Sequence, residues 1–215
     1  MSGKAKTPII VIIVGIPGVG KTTVLKKLQE RASKEGLDIK VVNFGDYMFE
    51  EAKKQGLISH RDEIRKLPIH IQLDLQKKAA KKIREDAEKE KHDIFIVDTH
   101  ALIHTATGFW PGLPKHVVEN IKPYLIVDIE ASPEEIYARR MRDANVRFRM
   151  DEKNVEEIRE FMFLARVSSI ASAVLTGSTV KFVQNREGKV EEAVEEILDA
   201  LKKNLKILNS PKQLH

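Results

Sequence analysis

The sequence contains no cysteine, so it can form no disulfide, no thiolate zinc site and no cysteine nucleophile. No apolar run approaches the ~20 residues that a membrane-crossing helix needs, so no membrane partner is expected. Met1 to Pro8 is small and basic and offers neither the apolar helix nor the cleavage site of a signal peptide; a cytoplasmic protein is expected. There is no internal repeat and no Pro/Gly/Ser-rich break, so the 215 residues are read as a single domain, 1–215. Many charges, few Asn and Gln and no Cys fit a thermophile. The excess of 37 Lys and Arg over 32 Asp and Glu is modest and suits either solubility or anionic partners, so local basic clusters carry more information than the total.

What the sequence does have is alternation. Ile9 to Val14 is wholly apolar, bounded by Pro8 and Gly15, and reads as a strand buried on both faces. Further strands are expected at Ile39 to Phe44, Ile94 to Asp98, Tyr124 to Ile129 and Val180 to Gln184. Helices are expected at Lys21 to Lys34, Pro68 to Lys91, Ser132 to Arg142, Asn154 to Leu175 and Lys189 to Leu205. In the last, Val190, Val194, Ile197, Leu201 and Leu205 share one face. Strands separated by helices predict an α/β fold, a parallel sheet covered on both sides.

Gly15-Ile16-Pro17-Gly18-Val19-Gly20-Lys21-Thr22 follows the first strand, opens the first helix, and matches the phosphate-loop pattern G-x-x-x-x-G-K-[ST]. Glycines let the backbone curl its N–H groups onto phosphate oxygens, and the helix start adds its positive end. Lys21 can reach the outer phosphates, and the Thr22 hydroxyl can ligate Mg²⁺. The pattern by itself indicates a nucleoside triphosphate. Guanine-reading proteins carry Asn-Lys-x-Asp, which this sequence lacks.

Asp98 ends a strand where parallel sheets build sites; it can hold Mg²⁺ directly or through water, or simply cap the junction. The segment Thr99 to Pro114 reads as a loop in which Phe109 and Trp110 either wall a pocket or anchor packing. His100 and His104 lack metal-ligand spacing, so no metal is assigned to them. Within Arg61-Asp62-Glu63-Ile64-Arg65-Lys66, Arg65 is the candidate clamp for an acceptor phosphate. Five arginines crowd into eleven residues: Arg139, Arg140, Arg142, Arg147 and Arg149. Such a cluster suits a flap closing over a moving phosphoryl group, or alternatively a charged face or a nucleic-acid patch.

Taken together, the loop at 15–23, Asn43-Phe44-Gly45-Asp46-Tyr47-Met48, Arg61 to Leu67, Asp98-Thr99-His100, Gly108-Phe109-Trp110-Pro111-Gly112-Leu113-Pro114 and Ala171 to Val180 resemble the archaeal adenylate kinases. The resemblance runs from Ile9 to about Leu205. It implies a five-stranded parallel sheet with the first strand central, a P-loop kinase architecture, and reversible Mg²⁺-dependent transfer of phosphate from ATP to AMP to give two ADP. It implies a homotrimer, with nucleic acid not expected except as a secondary role. On this reading ATP is bound by Gly15, Ile16, Pro17, Gly18, Val19, Gly20, Lys21, Thr22 and Thr23. AMP is bound by Gly45, Asp46, Arg65, Thr99 and His100 in a helical insert at about 44–92. Catalysis falls to Lys21, Arg139, Arg142, Arg147 and Arg149, the arginines lying in a short lid at about 139–153. Thr22 and Asp98 serve the metal. Kinases for other nucleoside monophosphates, and a nucleotide switch or RNA-associated factor, are the competing readings.

Overall fold

A computed structural model describes residues 9–105, 108–143 and 154–209. Five parallel strands form one sheet in the order β2-β3-β1-β6-β7: β1 (Ile9–Val14), β2 (Ile39–Asn43), β3 (Ile94–Asp98), β6 (Leu125–Glu130) and β7 (Thr179–Gln184). The first strand is central, as expected. All six of its residues are buried, because both its faces are covered.

Strand alternation divides the core into two. Ile9, Val11 and Ile13 point to one face, where α1 (Lys21–Lys34) packs Val24, Leu25 and Leu28, and α7 (Val190–Asn209) packs Val194, Ile197 and Leu201. Ile10, Ile12 and Val14 point to the other face, against α2 (Phe44–Lys54), α3 (Ile69–Glu90) and α4 (Lys115–Ile121). The remaining helices are α5 (Pro133–Asp143) and α6 (Val155–Val174). At the start of α5 the Ser132 hydroxyl accepts from the Glu135 N–H at 3.2 Å, while the Glu135 carboxylate takes the Ser132 N–H at 3.0 Å. These two bonds satisfy donors that a helix start leaves open.

Three local readings change. Phe44 opens α2 instead of ending a strand: Asn43 takes an extended conformation and its side chain accepts the Gly45 N–H, which caps the helix one residue earlier. The segment 99–114 is not a plain loop but carries an antiparallel hairpin of β4 (Leu102–Thr105) and β5 (Gly108–Pro111), with Phe109 stacked on buried Phe161 at 5.6 Å. A short 3₁₀ helix, Arg61–Lys66, and α4 also appear where no element was expected.

The register brings the site together. Ile13 pairs with Asp98, Asn43 also pairs with Asp98, and Val14 pairs with Asp128, so two polar strand ends and a polar residue within β6 line up beside the turn that follows β1. Leu28 is fully buried between α1 and the sheet. Leu28→Ala is expected to cost about 2–5 kcal/mol, read as a lower urea midpoint with an unchanged slope.

Candidate active site

The turn from β1 to α1 is the phosphate loop, residues 15–22. Gly18 and Gly20 hold φ of 96° and 84°, left-handed values that glycine adopts freely and other residues rarely. Lys21 is the first residue of α1. Its ammonium donates to an Asp98 carboxylate oxygen, and to the Thr99 carbonyl at 2.7 Å. Burial holds the Lys21 pKa below the usual lysine value even though the Asp98 carboxylate beside it favours the charged form. Thr22 and Thr23 are exposed at the start of the helix.

Asp98 is the junction of the site. Its second oxygen accepts from the Asn43 carboxamide at 2.8 Å, and the Asn43 oxygen accepts from Arg61 Nη2 at 2.6 Å. Arg61 also pairs with Asp46 and lies flat against Gly45, where a Cβ would stand 2.2 Å from its Nη2. One hydrogen-bonded chain therefore runs from Lys21 through Asp98 and Asn43 to Arg61 and Asp46. It joins the loop to Gly45 and Asp46, two of the residues expected on the acceptor side. Thr99 is buried, with its N–H on the Ile13 carbonyl at 3.0 Å; His100 follows half-buried. Arg65 sits exposed on the 3₁₀ helix, one turn beyond Arg61.

The arginine cluster divides. Arg139 donates to the Val19 carbonyl at 3.1 Å, to the Asn185 carbonyl at 3.0 Å and to Glu187 at 3.0 Å. Arg140 places Nε and Nη2 on the Pro17 carbonyl at 2.9 and 2.7 Å. Arg142 pairs with Glu187 at 3.1 Å on an exposed surface. Arg147 and Arg149 lie outside the described residues.

A family model described as an AAA domain matches residues 14–159, a span that takes in the loop, Asp98 and the start of α6. The chain is 47% identical over 193 residues to an adenylate kinase of Methanocaldococcus jannaschii, covering 90% of this chain and 98% of that one. It is 47% identical over 195 residues to an adenylate kinase of Pyrococcus furiosus, with 90% and 95% covered, and 45% identical over 190 residues to one of Sulfurisphaera tokodaii, with 88% and 97% covered. The chain belongs to the archaeal adenylate kinase family.

An adenylate kinase must hold two nucleotides against one another, and several residues that the fold brings to the loop were not singled out from the sequence. Arg61, in the same charged run as the expected Arg65, lies against Gly45 and Asp46, a proximity that only the fold makes visible. Asn43 reads as a helix cap, and its second contact, to Asp98, arises from strand pairing. Asp128 was hidden inside an apolar run.

Asp128 is a buried carboxyl beside the loop. It is 3% exposed and accepts from the Ser169 hydroxyl at 2.8 Å. It also borders a water-sized cavity lined by Ile16, Val19, Glu130 and Met162. Burial pushes its pKa from 3.8 to about 6; Glu130 adds to the rise, while Ser169, Arg166 and Lys21 oppose it. Because the folded value exceeds the unfolded one, the folded state holds the extra proton between these two values. Stability therefore falls as pH rises through that window and levels off above it. Asp128→Asn removes this dependence while keeping an acceptor for Ser169. Melts against pH should show the variant gaining up to about 3 kcal/mol over the parent above pH ~6, and nothing below pH ~4.

Proposed function

We propose that the protein transfers the terminal phosphate of ATP to AMP, reversibly, to give two ADP, with Mg²⁺ as cofactor. The observation that carries this reading is the chain Lys21–Asp98–Asn43–Arg61. It links the cation of a triphosphate loop, on Asp98, through Asn43 to the arginine of a helical insert. A site that only held a triphosphate would have no use for the second cation.

The donor phosphates lie against the N–H groups of residues 15–23, and Lys21 turns from Asp98 onto them. Arg61, and Arg65 one turn further on, supply guanidinium forks for the acceptor phosphate, with Gly45, Asp46, Thr99 and His100 around it. The insert at about 44–92 carries this acceptor side; Arg139 already reaches the loop from α5, and a short lid within about 139–153 would bring Arg142, Arg147 and Arg149 to the donor side. An oxygen of the AMP phosphate bonds to the γ-phosphorus as the bond to the β-phosphate oxygen breaks. Positioning and charge do the work, and no covalent enzyme intermediate is needed.

Thr22 and Asp98 are hard oxygen donors beside the loop, a set that suits a magnesium ion carried in by the nucleotide and keeping most of its ligands as water and phosphate oxygen. Bound there, the ion would neutralise charge on the phosphate oxygens.

Self-association as a homotrimer is proposed on the family's resemblance and on α6. Phe163, Val167, Ile170 and Val174 recur at helical spacing along one side of that helix, and are 63%, 46%, 45% and 76% exposed. Such an apolar stripe suits a subunit interface. The proposed location is the cytoplasm.

A coupled assay with MgATP against AMP, GMP, CMP and UMP tests the reaction. ADP formation is expected with AMP in preference to the others, and a preference for another acceptor would overturn the assignment of the substrate. Lys21→Ala is expected to lower kcat by at least ~10²–10³; near-normal turnover would remove the lysine from the mechanism. Phe163→Glu combined with Val174→Glu is expected to yield monomers by light scattering, and a parent that is itself monomeric would refute the assembly.

A further inference from the structure

A loop that turns its N–H groups toward phosphate must turn carbonyls the other way, and in this protein two of them are held by side chains far away in sequence. The Pro17 carbonyl is taken by Arg140. The Val19 carbonyl is taken twice, by Arg139 and by the Asn185 carboxamide at 2.7 Å, across 166 positions of sequence.

Asn185 is the unusual partner. It follows β7 and is 5% exposed, one of few buried polar side chains among the described residues. Its backbone is pinned on both sides: its N–H donates to the Glu130 carbonyl at 2.7 Å, and its carbonyl accepts from Arg139 at 3.0 Å. The carboxamide therefore has little freedom to leave the loop. It also fills the space in front of Gly20, where a Cβ would stand 2.5 Å from Asn185 Nδ2. Gly20 is the residue just before Lys21 and the cap of α1.

We propose that Asn185 is a positioning residue for the phosphate loop. It ties the Val19 carbonyl outward so that the loop waits in its phosphate-receiving shape, and Lys21 starts α1 at a fixed height above the sheet. Ordering the loop before the nucleotide arrives spares the binding step that cost. The effect falls on triphosphate binding and leaves the acceptor side alone, because Asn43, Arg61 and Asp46 make no contact with Asn185. This rests on the proposed function only in assigning ATP to the loop and AMP to the insert.

The test is calorimetric titration of the full-length protein, parent and variants, with ATP and separately with AMP, alongside KM for each in the coupled assay. Asn185→Ala removes the carboxamide. Asn185→Leu fills nearly the same volume without a donor, and so separates the hydrogen bond from packing. Losing a hydrogen bond of this kind corresponds to roughly tenfold in affinity. Both variants are expected to bind ATP about tenfold more weakly while AMP affinity stays within about twofold. Retained AMP binding also certifies that the variants fold. Equal weakening of both nucleotides, or ATP binding that Asn185→Leu leaves unchanged, would overturn the proposal. A parent that binds ATP but never AMP would instead sink the proposed reaction, while the effect of Asn185 on ATP would still decide this inference.

Discussion

The whole site follows from one backbone constraint. A chain segment that aims successive N–H groups at an anion has to direct its carbonyls away from it, and buried carbonyls need donors. Gly18 and Gly20 make the curl possible through left-handed backbone. The carbonyls that result, on Pro17 and Val19, are met by Arg140, Arg139 and Asn185. Those donors come from α5 and from the end of β7, so the loop, the fifth helix and the far strand are bound into one unit. β6 joins it through the bond from the Asn185 N–H to Glu130. Anion binding is thus prepared on the outside of the loop as much as on the inside.

The second constraint is the burial of Lys21. A lysine with an 11% exposed side chain needs a counter-charge, and Asp98 supplies it from the end of β3, the strand paired with β1. Asp98 in turn needs its other oxygen satisfied, which Asn43 does, and the Asn43 oxygen needs donors, which Gly45 and Arg61 provide. Each contact leaves one polar group to be answered by the next, so a requirement at the loop propagates to the insert. When phosphates take Lys21, Asp98 loses its cation and becomes free for another positive partner. That is the role proposed for it toward magnesium.

The large elements were legible because their signals are local. The apolar hexamer of β1, the amphipathic stripe of α7 and the loop motif all read correctly, and the central place of β1 among five parallel strands followed from the resemblance. What was not legible depends on pairing across sequence. Asn43 sits opposite Asp98, and Asn185 reaches Val19, only once the sheet is assembled. Arg61 lies at Gly45 because the 3₁₀ helix turns it there. The hairpin at 102–111 has short strands and a histidine among its apolar residues, so period-two patterning is too brief to announce it. Arg139 was expected over the moving phosphate, and its fork is instead divided among Val19, Asn185 and Glu187. Arginine density marked the cluster but could not apportion the individual side chains.

That apportionment has a consequence for the proposed lid. Arg139 holds the carbonyl of buried Val19, which must stay satisfied whether or not nucleotide is bound, and Arg140 holds the Pro17 carbonyl at the surface. Swinging the whole of α5 would break those bonds, each worth about a kilocalorie per mole and more where a buried carbonyl is left bare. A bend beyond Arg140 costs less. Met141 and Arg142 are exposed, and Arg142 is tied by its surface pair with Glu187, a class of contact that contributes little. The helix therefore divides by function. Its first two turns carry the side chains that hold the phosphate loop, and Met141 and Arg142 beyond them lie at the surface.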